Sequence, residues 1–174
     1  MENNKPLVNR VAASGLITIN LEDFFPNEEV VIFDLKDYLY MELMLKEKKF
    51  RATLKVHNWE QYKGKHLLVY CSTDAIVPVW AFMLVTAYAT PYAISVFNGK
   101  ADSFYQQAFY AALTNFDGTK YEAKRVVIKG CSNKPVPVSA YVELTRLLQP
   151  HAQSIMYGEP CSTVPIFKRP RKIV

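Results

Sequence analysis

Four apolar, strand-like runs recur at steps of roughly 30 residues, the usual length of a strand–helix–strand unit. They end near Cys71, Asn98, Cys131 and Glu159. Helix-like segments separate them, at about Ala75 to Ala89, Ala101 to Thr114 and Ser139 to Leu148. The runs are continuously apolar rather than alternating, as in parallel sheets covered on both faces. Residues 65–163 therefore predict four parallel strands with three crossover helices. Right-handed crossovers leave few strand orders, and the flavodoxin-like one is the expectation taken. The fold class is α/β, three-layer, with a mainly parallel sheet.

Residues 1–64 read as an N-terminal β/α extension that borders or covers this sheet. Leu16 to Leu21 and Val30 to Phe33 are strand-like. A helix is expected after them, with Asp34 as N-cap, Asp37 in its first turn, and Leu35, Tyr38, Leu39, Leu43 and Met44 as its stripe. The segment 75–89 is apolar all round, with Pro78 tolerable in a first turn. Such a helix asks for burial on more than one side, as at a homodimer contact. The next carries a stripe of Phe104, Tyr105, Ala108, Phe109, Ala112 and Leu113, and the last turns Tyr141, Leu144 and Leu148 inward.

A chain of 174 residues is most simply one domain, and it is long enough for one good core. Its polar N-terminus, Met1-Glu2-Asn3-Asn4-Lys5-Pro6, lacks the apolar stretch of a signal peptide. No run approaches a membrane span. A cytoplasmic location is expected, and with it reduced thiols. The net charge is +5, but Lys168, Arg169, Arg171 and Lys172 supply four of those charges. The excess thus belongs to a tail at 164–174, read as a solvated end. That is not the broad basic stripe of a nucleic-acid binder.

Each of the three cysteines is followed by Ser near the end of a strand-like run: Cys71-Ser72-Thr73, Cys131-Ser132 and Cys161-Ser162-Thr163. In a single parallel sheet all three lie at the carboxyl edge, where ligands bind. In the flavodoxin-like order their strands are neighbours, about 4.8 Å apart. Three thiolates on one zinc ion, or on an iron–sulfur cluster with one free iron, then become an expectation. Asp74 or Glu159 would complete or tune the site. Ser72, Thr73, Ser132, Ser162 and Thr163 would hold a cofactor or an anionic group beside it. The pattern matches no metal motif with Cys-x-x-Cys or paired His. His66 and His151 fall at the opposite edge, and His57 has no assigned place.

Two alternatives stand beside this one. Cys71 and Cys131 precede helices, whose N-termini lower a thiol's pKa, so either could serve as a nucleophile. No His on that edge offers itself as base, and whether the chain is an enzyme stays open. The other alternative is a metal-free interaction or scaffold protein with packing cysteines. Eleven Tyr, ten Phe and two Trp leave room for an aromatic binding surface. There is no Gly-rich phosphate loop.

The runs Val126 to Ser132, Pro135 to Leu148 and Ser154 to Pro165, with Cys71 to Ala75 and Trp80-Ala81, resemble a bacterial domain-of-unknown-function family of about this length, common in Bacteroidetes. The resemblance covers essentially the whole chain. It implies iron–sulfur or metal handling rather than hydrolysis, with iron–sulfur assembly proteins as partners. It implies no catalytic residue.

Overall fold

The computed structural model describes residues 15–130 and 133–170. The fold is mixed α/β with mainly parallel strands, but its strands form two sheets. The strands are β1 (Leu16–Asn20), β2 (Val30–Asp34), β3 (His66–Tyr70), β4 (Ser95–Asn98), β5 (Arg125–Lys129), β6 (Ser154–Glu159) and β7 (Ser162–Lys168). The helices are α1 (Glu47–Val56), α2 (Val79–Ala89), α3 (Ala101–Thr114) and α4 (Val138–Leu148). One sheet has the order β1-β5-β6-β7, the other β2-β3-β4. Among these strands the β6–β7 pairing alone is antiparallel.

The flavodoxin-like order is therefore corrected. The four strands expected in one sheet divide two and two. The cause lies in the N-terminal strands, which do not border a finished sheet. Each takes the flank of a different central strand, β1 beside β5 and β2 beside β3. Two compact units follow. A continuous unit runs from Pro26 to Phe104; a split unit combines Met1–Phe25 with Tyr105–Val174.

The two units are built alike. Register pairs His66 with Ser95 in one and Arg125 with Ser154 in the other, a constant offset of 59 residues. At the same offset the α1 core residues Phe50 and Leu54 correspond to Phe109 and Leu113 of α3. Ala81, Val85 and Ala89 of α2 correspond to Ala140, Leu144 and Leu148 of α4. Val77-Pro78-Val79 is repeated as Val136-Pro137-Val138, and each proline is the N-cap of its helix. Main-chain bonds repeat too: Lys65 donates to Tyr62, and Lys124 to Tyr121, at 3.1 and 3.0 Å. In the first strands the offset is 14, and Asn20 and Asp34 each accept from the amide two residues on, starting a 3₁₀ turn. The continuous unit thus sits in the chain as an insert within a second copy of its own plan.

Three further expectations change. The long helix expected from Leu35 is a 3₁₀ turn, Leu35–Tyr38, which buries Leu35 completely. The chain then reverses through Met41 and Glu42, both at positive φ, before α1. Leu43 and Met44, expected in the stripe, stay exposed. Asp74 is exposed in the loop before α2, which begins at Val79 rather than at about Ala75, with Pro78 at its N-cap. Residues 164–168, expected in a solvated tail, belong to β7. Arg169 is also tied down, its guanidinium donating to the carbonyls of Gln149 (3.0 Å) and Pro150 (2.7 Å) just past α4. A cation there suits the negative end of the helix.

Candidate interaction site

An open apolar groove of about 520 Å³ lies in the split unit. Its walls are one flank of α4 (Val138, Tyr141, Val142, Thr145), the strand residues Ile128, Met156 and Tyr157, and Ile166 of β7. The core stripe of α4 is Ala140, Leu144 and Leu148, all buried. Val138 and Val142 lie one turn apart on a different flank, 77% and 64% exposed. On β7, Ile166 is 54% exposed. The β6–β7 pairing shifts register between Ile155 and Met156, placing one extra residue on the β7 side. Tyr141 donates its hydroxyl hydrogen to the Gly130 carbonyl and meets Tyr157 edge-on, ring centres 5.8 Å apart. Charge is kept outside the groove lining. On α4, Glu143 pairs with Arg146 at 2.6 Å, and that hydrogen bond holds the Glu143 carboxyl below its ordinary pKa.

Of the three expected cysteine ligands the structure describes two, and these belong to different sheets. Cys71 ends β3, in the continuous unit; Cys161 sits in the β6–β7 turn of the split unit. Cys131 and Ser132 lie outside the described residues. The Cys71 thiol is half-buried, 3.4 Å from the Thr73 hydroxyl, and Cys161 is exposed. The amide of Ser72 donates to Asp34 at 3.0 Å. Burial opposes ionisation of Asp34, but bonds from Ser72 and from the Lys36 amide outweigh it, and its pKa is lowered. Glu159 pairs with Lys129 at 3.5 Å; Ser162 and Thr163 lie on β7, where the Thr163 hydroxyl meets the Met156 sulfur at 3.7 Å. Among the described residues no three His, Cys, Asp or Glu side chains cluster as metal ligands do.

The internal repeat does not carry the Cys-Ser steps with it. At the offset of 59, Cys71 falls on Gly130 and Ser72 on Cys131. The two steps are out of register by one residue, and Cys161 lies in a hairpin that the other unit lacks. The groove itself left a fainter signal. Val138 and Val142 stand off the core stripe of their helix, and Val164-Pro165-Ile166 is apolar inside what looked like a tail.

His57, unplaced by sequence, belongs to an aromatic cluster in the continuous unit. Its Nε2 lies 2.8 Å from the Tyr62 hydroxyl, and its ring meets Phe33 and Trp59 edge-on. Burial pushes Tyr62 up to about 12, which keeps its hydroxyl protonated, and burial holds His57 below its ordinary 6.5. The sign of the linkage follows. Below pH 6.5 the unfolded chain takes up a proton that folded His57 resists. Stability present above that pH is lost as pH falls through the depressed value. Urea midpoints should decline between pH 7 and 5, and His57→Gln should flatten part of that decline. An unchanged slope in the variant would refute the assignment.

Fold and groove together define a class: a mainly parallel α/β protein of two like units, one carrying an open apolar groove. The chain belongs to the family described as "Protein of unknown function (DUF2480)", which it matches over residues 5–169. No curated protein and no solved structure matches it. Among the described residues no helix is long and apolar enough to cross a membrane.

Proposed function

We propose that this is an interaction protein, and that its groove receives apolar side chains from a segment of a protein partner. The observation that carries this reading is the exposure of Val138, Val142 and Ile166 along one concave, nearly wholly apolar surface. Its volume falls in the range of binding sites, roughly 300–1,000 Å³. Scattered apolar residues are normal on a surface; a contiguous set around a cavity marks a place of contact. The groove offers the hydroxyl of Thr145 as a polar fixing point, while the Tyr141 hydroxyl is committed to Gly130.

A phage-displayed random peptide library tests it. Selected peptides should carry spaced apolar anchors, and Val142→Asp or Ile166→Asp should weaken them by about tenfold or more. Selection of highly charged peptides, or binding indifferent to both substitutions, would overturn the reading.

A second reading keeps the cysteines as a zinc or iron–sulfur site with Asp74 or Glu159, serving iron–sulfur assembly proteins. One observation favours it. The Lys129–Glu159 ion pair ties the end of β5, two residues before Cys131, to the end of β6, two residues before Cys161. Protein purified without a metal-binding tag should then hold about one zinc, or several irons, per chain. Absence of both from a protein whose thiols all remain free would end this reading.

A further inference from the structure

We propose that the outer edge of β4 is a strand-docking site, where an extended apolar segment of a partner protein adds antiparallel. The warrant is internal to the chain, and it is independent of the groove. In the split unit β6 is flanked on its outer side by β7, antiparallel to it. In the continuous unit β4 holds the position of β6, in the same register, and among the described residues no strand pairs beyond it. The paths diverge at one point. Gly158 and Gly99 are equivalent and both have positive φ, 117° and 141°. After Gly158 the chain folds back as β7; after Gly99 it enters α3.

The missing strand leaves a trace in the packing. Ile155 of β6 is completely buried, and Phe167 of β7 packs against the same core. Val96, the residue equivalent to Ile155, is only part-buried. Exposed apolar residues stand on the elements beside it: Val79 by 73% and Met83 by 66% on α2, which contacts β4, and Ile94 by 52% just before β4. An edge strand with unpaired main-chain groups and apolar neighbours is the template that strand addition uses. The occupant is specified by the copy that is already filled. It is a short extended segment with apolar residues placed like Val164, Ile166 and Phe167. A proline is tolerated where no ladder hydrogen bond is required, as at Pro165.

The chain's own β7 supplies the probe. A fluorescein-labelled peptide of sequence Ser-Thr-Val-Pro-Ile-Phe-Lys, titrated with the full-length protein, should give saturable anisotropy with a Kd on the order of 100 μM, since short strands gain little beyond their ordering cost. Amide shifts in the ¹⁵N spectrum should concentrate on Ser95–Asn98. Met83→Asp and Ile94→Asp, both at exposed positions, should weaken binding about tenfold while circular dichroism stays unchanged. Three results would overturn the proposal: no saturable binding, binding unaffected by both substitutions, or amide shifts confined to Ser154–Glu159, which would mean exchange with the resident β7.

Discussion

One added methyl group at Gly130 should cost the protein about 3 kcal/mol, combining backbone strain with overpacking. Gly130 has φ +143°, a conformation that L side chains rarely adopt. A Cβ there would stand 2.8 Å from the Leu21 Cβ, 3.1 Å from the Leu21 nitrogen and 3.3 Å from the Glu22 nitrogen. Two of these neighbours are main chain at the start of a 3₁₀ turn, so nothing flexible can give way. Leu21 is completely buried, which holds the turn against the end of β5. A loss of that size is a large part of the 5–15 kcal/mol that stabilises an ordinary domain. Urea unfolding of Gly130→Ala measures it, and a change below about 1 kcal/mol would contradict the packing described. The equivalent position in the continuous unit is Cys71, whose φ is not positive. There Cys71→Ala should be mild by comparison.

Phe109→Ala should be the most costly single truncation in the split unit, at about 3–5 kcal/mol. Its ring is completely buried in α3, 6.1 Å from the Phe25 ring centre, and it packs with Leu113, Val126 and Ile155 in one core. Phe50 holds the same place in the continuous unit, 2% exposed and edge-on to Tyr38 and Trp80. If the two units share one plan, Phe50→Ala should cost about as much as Phe109→Ala. Denaturation of both variants checks this. A near-neutral effect at either ring would break the equivalence.

Local structure was largely legible in the sequence, because local rules govern it. The runs ending at Tyr70, Asn98, Lys129 and Glu159 are strands, and α3 spans the residues its stripe marks, Ala101–Thr114. Pairing was not legible. That β1 flanks β5 and β2 flanks β3 depends on contacts across long separations, and apolar periodicity does not encode a partner. The repeat was present in the sequence, in Phe50 and Phe109 or in Val77-Pro78-Val79 and Val136-Pro137-Val138. Cys-Ser stood out because cysteine is rare, yet those steps fall at different places in the two copies. Leu35, Leu43 and Met44 have helical spacing, but only Leu35 reaches a core. Spacing alone does not show whether a partner surface exists.

The nesting of one unit inside the other bears on how the protein is made. A ribosome delivers Pro26–Phe104 as one unbroken length, so that unit holds all its strands before β5 to β7 exist. β1 emerges first but is left waiting, because Arg125–Lys129, beside which it belongs, is translated only after the whole insert. Until then Ile17 and Ile19 travel as a bare strand. The nascent polypeptide is most exposed to mispairing, and most in need of a chaperone, in the interval between those two events.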